Sequence, residues 1–403
     1  MEHRKLETYK QYGKRYGKYA AFALLAMALI VLCCVRGRVA RQAEAPQPTQ
    51  EERQADRAQT LLDGMTAREK ICQLLIVSPE ALTADGAAVT ELTPELTAAL
   101  QEYPVGGFLL ATGNLETREQ TVQLVSGLQG ASATRLFICA DEEGGQVGRL
   151  MYTIGTTKLN SMFSYRALGT QTAYNNAVTL ATDLQACGFN VDFAPVADVW
   201  SNPKNTVIGD RAYSDDYDEA AELVAAAVQG FRDSNTICCL KHFPGHGSTE
   251  TDSHQQAAIV NKTLHKLLQE DLKPFLSGME AGADMVMVGH LTVPSMDEQP
   301  ASMSYKLVTS LLRRQLTFRG VIVTDGLQMQ ALGDYTDAEK AVRCLQAGVD
   351  VLLEIEDVPG AVAAVEQALA DGTLSQEQLD ASVLRVLNLK LSHGILPLDD
   401  ETD

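Results

Sequence analysis

Short apolar, β-branched runs recur along this chain, separated by stretches with the spacing of amphipathic helices. The runs are 71–77, 107–111, 136–140, 191–195, 236–240, 285–289, 321–324 and 349–353. The helical stretches are 117–128, 170–187, 218–233, 264–281, 306–316, 337–347 and 358–371. Thr66-Ala67-Arg68-Glu69 spells a capping box that opens one more short helix. Alternation of this kind predicts parallel strands joined by crossover helices. Eight repeats suit a closed (β/α)8 TIM-type barrel better than an open sheet, and no GxGxxG dinucleotide turn is present.

The polar residues carry the same message. Most of the apolar runs give way, on their C-terminal side, to titratable groups: Asp141-Glu142-Glu143, Asp198, Lys241-His242, His290, Asp325 and Glu354. In a parallel barrel those ends share one rim, where active sites of this fold sit. The densest stretch is Lys241-His242-Phe243-Pro244-Gly245-His246-Gly247, followed by Asp252-Ser253-His254. Pro244, Gly245 and Gly247 predict an irregular loop there.

Upstream of all this, residues 19–35 are almost unbroken apolar, at the short end of what spans a bilayer. Arg4, Lys5, Lys10, Lys14, Arg15 and Lys18 precede the run, and only Arg36, Arg38 and Arg41 follow closely. That bias holds the N-terminus in the cytoplasm and sends the remainder outward. The expected organisation is a basic cytoplasmic segment (1–18), a signal-anchor (19–35), a linker (36–59), a catalytic barrel (60–397) and an acidic tail (398–403). Residues 39–57 lack apolar periodicity and read as a spacer. The alternative is secretion after cleavage near Ala43-Glu44-Ala45.

Composition narrows the function. The formal net charge is −19, which argues against nucleic acid as a partner. The eight cysteines show no CxxC spacing, so they read as buried thiols rather than a zinc site. Neither a metal nor a cofactor is expected.

Asp325 closes an apolar strand and precedes a glycine, which suits a nucleophile or base backed by hydrophobic walls; a helix N-cap is its bland alternative. Asp252 and His254 suit a proton shuttle, the carboxylate fixing the imidazole tautomer. Lys241 and His242 suit hydrogen bonding to substrate hydroxyls, and His246 suits a brace for the loop. Asp141, Arg149 and Arg211 join them on the expected rim.

From residue 60 to residue 396 the chain resembles glycoside hydrolase family 3, in its β-N-acetylglucosaminidase branch. The resemblance rests on Asp141-Glu142-Glu143-Gly144-Gly145-Gln146-Val147-Gly148-Arg149-Leu150, on Phe193-Ala194-Pro195-Val196-Ala197-Asp198-Val199, and on Ile208-Gly209-Asp210-Arg211. The Lys-His-x-x-Gly and Asp-x-His signature at Lys241 to His254 looks like the mark of this branch. The resemblance implies Asp325 as nucleophile, His254 oriented by Asp252 as acid/base, and Asp141, Arg149, Arg211, Lys241 and His242 as ligands of the sugar ring. It implies a barrel ending at the helix that holds Ser382 to Leu391, without the family's second domain. Gly326 departs from the acidic or small residue often found after the nucleophile, and Gln255-Gln256-Ala257-Ala258 departs from a more apolar continuation.

The outward topology and the sugar point to cell-wall fragments, small muropeptides or disaccharides, as substrate. Two other readings stand beside this one. His242, His246, Asp252 and His254 are legal zinc ligands, so a metal-dependent hydrolase is the second; Lys241 would then set a positive charge beside the metal. The third is a catalytically silent sugar-binding membrane protein.

Overall fold

The computed structural model describes residues 2–40, 48–84, 86–250 and 258–399. It divides into two units, Met1–Arg53 and Gln54–Asp403. In the first, Glu2–Ala40 is one helix. Its stretch Leu6–Arg36 is the candidate membrane span among the described residues, with Leu24, Leu25 and Ile30 open to the surroundings. A signal sequence near the N-terminus can also be this long and apolar. The expected spacer is partly helical, because a second helix runs over Gln50–Gly64. Thr49 and Glu52 cap its start, each backbone N–H donating to the other's side chain. Ala58 and Leu62, a turn apart, are buried. Two buried positions in a mostly polar run give a weak periodic signal, and the sequence reads as a spacer up to there.

The second unit is an α/β fold around an eight-stranded sheet. Its strands are β1 (Leu75–Val77), β2 (Gly107–Leu109), β3 (Phe137–Ala140), β4 (Val191–Asp192), β5 (Ile237–Phe243), β6 (Met285–Val288), β7 (Val321–Thr324) and β8 (Leu352–Leu353). Neighbours pair in parallel around the sheet, from Ile76 beside Gly107 to Thr324 beside Val288. β8 lies against β1, with Leu75 opposite Leu352. A single parallel bridge, Val323 to Val351, joins its approach to β7. The result is a nearly closed barrel-like sheet. Its strand residues are all buried, which explains why they read as continuous apolar runs.

Several boundaries differ from expectation for local reasons. Residues 71–73 belong to the helix Ala67–Gln73, opened by the capping box at Thr66. The stretch 264–281 breaks into Leu264–Gln269 and Leu272–Glu280, because Glu270 and Asp271 turn to meet Lys262 at 3.0 and 2.5 Å. Residues 241–243 are strand rather than loop. The strand absorbs the turn residues behind it through a register shift between Leu240 and Phe243. The irregular chain begins only after Phe243.

The N-terminal end of the sheet is tied by polar contacts that a barrel needs to hold its last strand. Buried Asp350, just before β8, accepts from Arg313 (2.5 Å), Arg385 (2.6 Å), Ser382 (2.8 Å) and the Ile322 N–H (2.9 Å). Lys390, on the final helix Gln376–Ser392, donates to Gln73 Oε1 and to the Gly106 carbonyl, both at 2.9 Å.

Candidate active site

A parallel sheet sends every strand's C-terminal end the same way. Asp141 and Glu143 follow β3, Lys241 and His242 end β5, Asp325 follows β7 and Glu354 follows β8. Arg149 and Arg211 arrive on the segments after β3 and β4. Together they line one cavity of about 320 Å³, whose apolar wall includes Leu109, Val147, Met287 and Met329.

Two arginines and a lysine meet two carboxylates there. Arg211 forks onto Glu143, Nε to Oε2 and Nη2 to Oε1, both 2.8 Å. Lys241 Nζ lies 2.6 Å from the same Oε1 and 2.7 Å from Asp141 Oδ1. Arg149 reaches the other oxygen of Asp141 at 3.5 Å. Burial pushes the Glu143 carboxyl up, but Arg211 and Lys241 more than offset this and hold it well below the usual carboxylate range. Burial likewise pulls Lys241 down, and Asp141 and Glu143 overcome it, so the ammonium stays charged. Such a fork fixes the guanidinium and the carboxylates rigidly in the cavity wall.

Two neighbouring carboxylates, Glu142 and Asp198, do different work. Glu142 points away from the cavity and accepts from the N–H groups of Arg149 (2.6 Å), Leu150 (2.9 Å) and Met151 (3.0 Å), capping the short helix Leu150–Thr153. Glu142 and Glu143 face opposite ways because they are consecutive in the extended segment Glu142–Gly144, and Gly144 and Gly145, at φ +86° and +61°, turn the chain after them. Buried Asp198 accepts from His242 Nδ1 (2.7 Å) and from the His242 and His246 backbone N–H groups (3.1 and 2.5 Å). It thereby keeps the His242 proton on Nδ1 and leaves Nε2 for the cavity.

Asp325 is half-buried, and its Oδ1 accepts from the Gly326 N–H at 2.8 Å. Burial raises its carboxyl, yet His242, His290, the Gly326 N–H and Lys241 together bring it below the ordinary aspartate value. His290 is held behind it, Nδ1 to Ser302 and Nε2 to the Gly326 carbonyl, both 2.9 Å. An ionised carboxylate is thus presented to the cavity against an apolar wall, which is what a nucleophile requires.

Of the residues expected on the rim, Asp141, Arg149, Arg211, Lys241, His242 and Asp325 line this cavity. Asp252 and His254 lie in 251–257, outside the described residues. His246 braces its loop as expected, with Nδ1 2.8 Å from Thr249 Oγ1. Two participants were named from the sequence only as strand-end acids, without a role. Glu143, the hub of the charge network, is visible there only as one acid among three, and its partner Arg211 is 68 residues away. Asp198 carried a signal, a lone carboxylate after an apolar strand, without a sign of its partner.

The cavity lies at the C-terminal strand ends of the nearly closed parallel sheet, and comparison with known proteins places this fold in a family. The model of the glycosyl hydrolase family 3 N-terminal domain matches residues 66–389. This chain belongs to glycosyl hydrolase family 3. It is 34% identical over 335 residues to beta-hexosaminidase A of Pseudoalteromonas piscicida, covering 75% of this chain and 56% of that protein. It is 36% identical over 288 residues to a beta-hexosaminidase of Idiomarina loihiensis, covering 70% and 86%. Among solved structures, a glycoside hydrolase family 3 beta-N-acetylglucosaminidase from Paenibacillus sp. str. FPU-7 superposes with a TM-score of 0.77 at 32% identity. That match covers 84% of this chain and 65% of the other, so the chain spans little more than half to two thirds of two of these relatives.

Proposed function

We propose that this chain is a retaining exo-β-N-acetylglucosaminidase, releasing terminal β-linked N-acetylhexosamine from cell-wall fragments. The observation that carries the reading is Asp325, ionised and half-buried, facing the same cavity as Lys241, Arg211 and Arg149. The likeness to named hexosaminidases supports the choice of sugar. In this reading the scaffold is a (β/α)8 TIM-type barrel over residues 60–397, and the helix Glu2–Ala40 anchors it to the membrane with the catalytic unit outside.

Asp325 attacks the anomeric carbon as the glycosidic oxygen departs, giving a covalent glycosyl-enzyme. His254, oriented by Asp252, protonates the leaving oxygen and then takes a proton from the water that releases the sugar. Configuration is retained because each step inverts. The role of His254 rests on the Asp-Ser-His spacing and the family resemblance. A neutral imidazole has an advantage over a second carboxylate, which would repel Asp325. Asp141, Arg149, Arg211, Lys241 and His242 bind the ring and fix its orientation.

The test is turnover of a chromogenic β-N-acetylglucosaminide beside the matching β-glucoside, with the anomer of the first product read by NMR. The expected result is preference for the former and a β product. Equal activity of Asp325→Ala and wild type would end this reading. A requirement for phosphate would make phosphate, rather than water, the acceptor.

A further inference from the structure

One carboxyl in the cavity is left over by this mechanism. Glu354 follows β8 with φ +56°, a left-handed conformation that is uncommon for a side chain of its kind. That turn aims it into the cavity beside Asp325. Its Oε2 accepts from Gln328 Nε2 at 2.5 Å, and Gln328 lines the same wall. Among the described residues none donates a hydrogen bond to Oε1. The pair sits on Gly326. A Cβ at that position would lie 2.7 Å from Glu354 Oε2 and 2.5 Å from Gln328 Oε1, so glycine next to the nucleophile makes room for both.

Burial raises the Glu354 carboxyl to about 7, with Asp141 and Asp325 adding to the rise and Gln328 and Arg149 opposing it. Lys241, Arg211, Glu143 and His242 line the remainder of the same cavity. The group therefore still holds a proton at mildly acidic pH. Since Oε2 accepts from the Gln328 amide, the proton belongs on Oε1.

We propose that Glu354 and Gln328 form a further substrate-binding pair of this site, in which Glu354 Oε1 donates a hydrogen bond to a hydroxyl of the bound sugar. The proposal rests on the hexosaminidase reading and extends it to the wall formed by β8. It makes binding depend on pH with a definite sign. A ligand that needs the protonated form binds less tightly as pH rises through the free group's value. Ionised Glu354 would also add a negative charge beside Asp141 and Asp325.

Glu354→Gln separates this from a structural role, because its amide can donate to the ligand and accept from Gln328 at every pH. The measurement is calorimetric binding of N-acetylglucosamine to the full-length chain in detergent, at pH 6 and pH 8. Wild-type affinity should fall by up to about tenfold between them. Glu354→Gln should keep its pH 6 affinity at pH 8. Glu354→Ala should bind roughly three- to tenfold more weakly than wild type at pH 6. Wild-type pH dependence in Glu354→Gln, or wild-type affinity in Glu354→Ala, overturns the proposal alone. A wild-type protein that binds no N-acetylglucosamine overturns the hexosaminidase reading along with it.

Discussion

Among the described residues, two lysines lie almost wholly out of water, at opposite ends of one sheet. Lys241, at the C-terminal end, is 1% exposed and touches Glu143 and Asp141. Lys390, at the N-terminal end, is fully buried and touches only neutral acceptors, Gln73 Oε1 and the Gly106 carbonyl, with its ammonium 4.8 Å from the centre of the Phe137 ring. Equal burial has opposite results. Lys241 is held above the ordinary lysine value by its carboxylates, whereas Lys390 is pulled down to about 7. Burial alone thus says little about a charge; its partners decide. One end of the sheet keeps an ionic network facing a cavity, and the other satisfies its single amine without one.

The largest test of that division is Asp325→Asn. If chemistry resides at the C-terminal end, hexosaminide turnover should fall by roughly 10⁴–10⁶, as expected for a lost nucleophile, with the fold intact by circular dichroism. Residual activity near wild type would place the nucleophile elsewhere.

Next is Lys241→Met. It strands Asp141 and part of Glu143, so urea unfolding should show a loss of about 3 kcal/mol together with weakened substrate binding. Unchanged stability would mean that Arg211 and Arg149 neutralise both acids without help.

A smaller effect is expected of Arg211→Lys, which keeps the charge but replaces the fork by a single donor. KM should rise roughly tenfold with stability less affected, measured by steady-state kinetics.

The mildest concerns Lys390. In the unfolded chain a lysine keeps its proton to about pH 10. In the folded state Lys390 releases it near 7. Between those values the unfolded state binds more protons, so this group's contribution makes stability rise with pH. From pH 7 to pH 8 the gain should be about 1 kcal/mol in wild type relative to Lys390→Met, read from paired urea titrations.

The strands were legible because each is buried on both faces and so forms an unbroken apolar run. β7 emerged with its bounds unchanged, as did the helix Asp337–Ala347 between Thr336 and Gly348. The cavity-lining residues were legible where a titratable group ended such a run, as at Lys241, His242 and Asp325. What escaped were pairings over distance. Nothing near Glu143 announces Arg211, and nothing near Gly326 announces Glu354, because closing the sheet is what brings them together. Glu354 was visible as a strand-end acid, but its left-handed turn has no glycine to mark it. The strand through Phe243 was missed for a different reason: the proline and glycine that end it were allowed to speak for the residues before them.

The seam of the sheet has a consequence during synthesis. Leu75 finds its partner Leu352 only after some 280 further residues have been made. At ribosomal speeds the first strand then waits for tens of seconds with one edge unpaired. Until the last strand arrives, the nascent polypeptide offers bare backbone donors and acceptors to any extended neighbour. That exposure lasts until Leu352 is made and can lie beside Leu75.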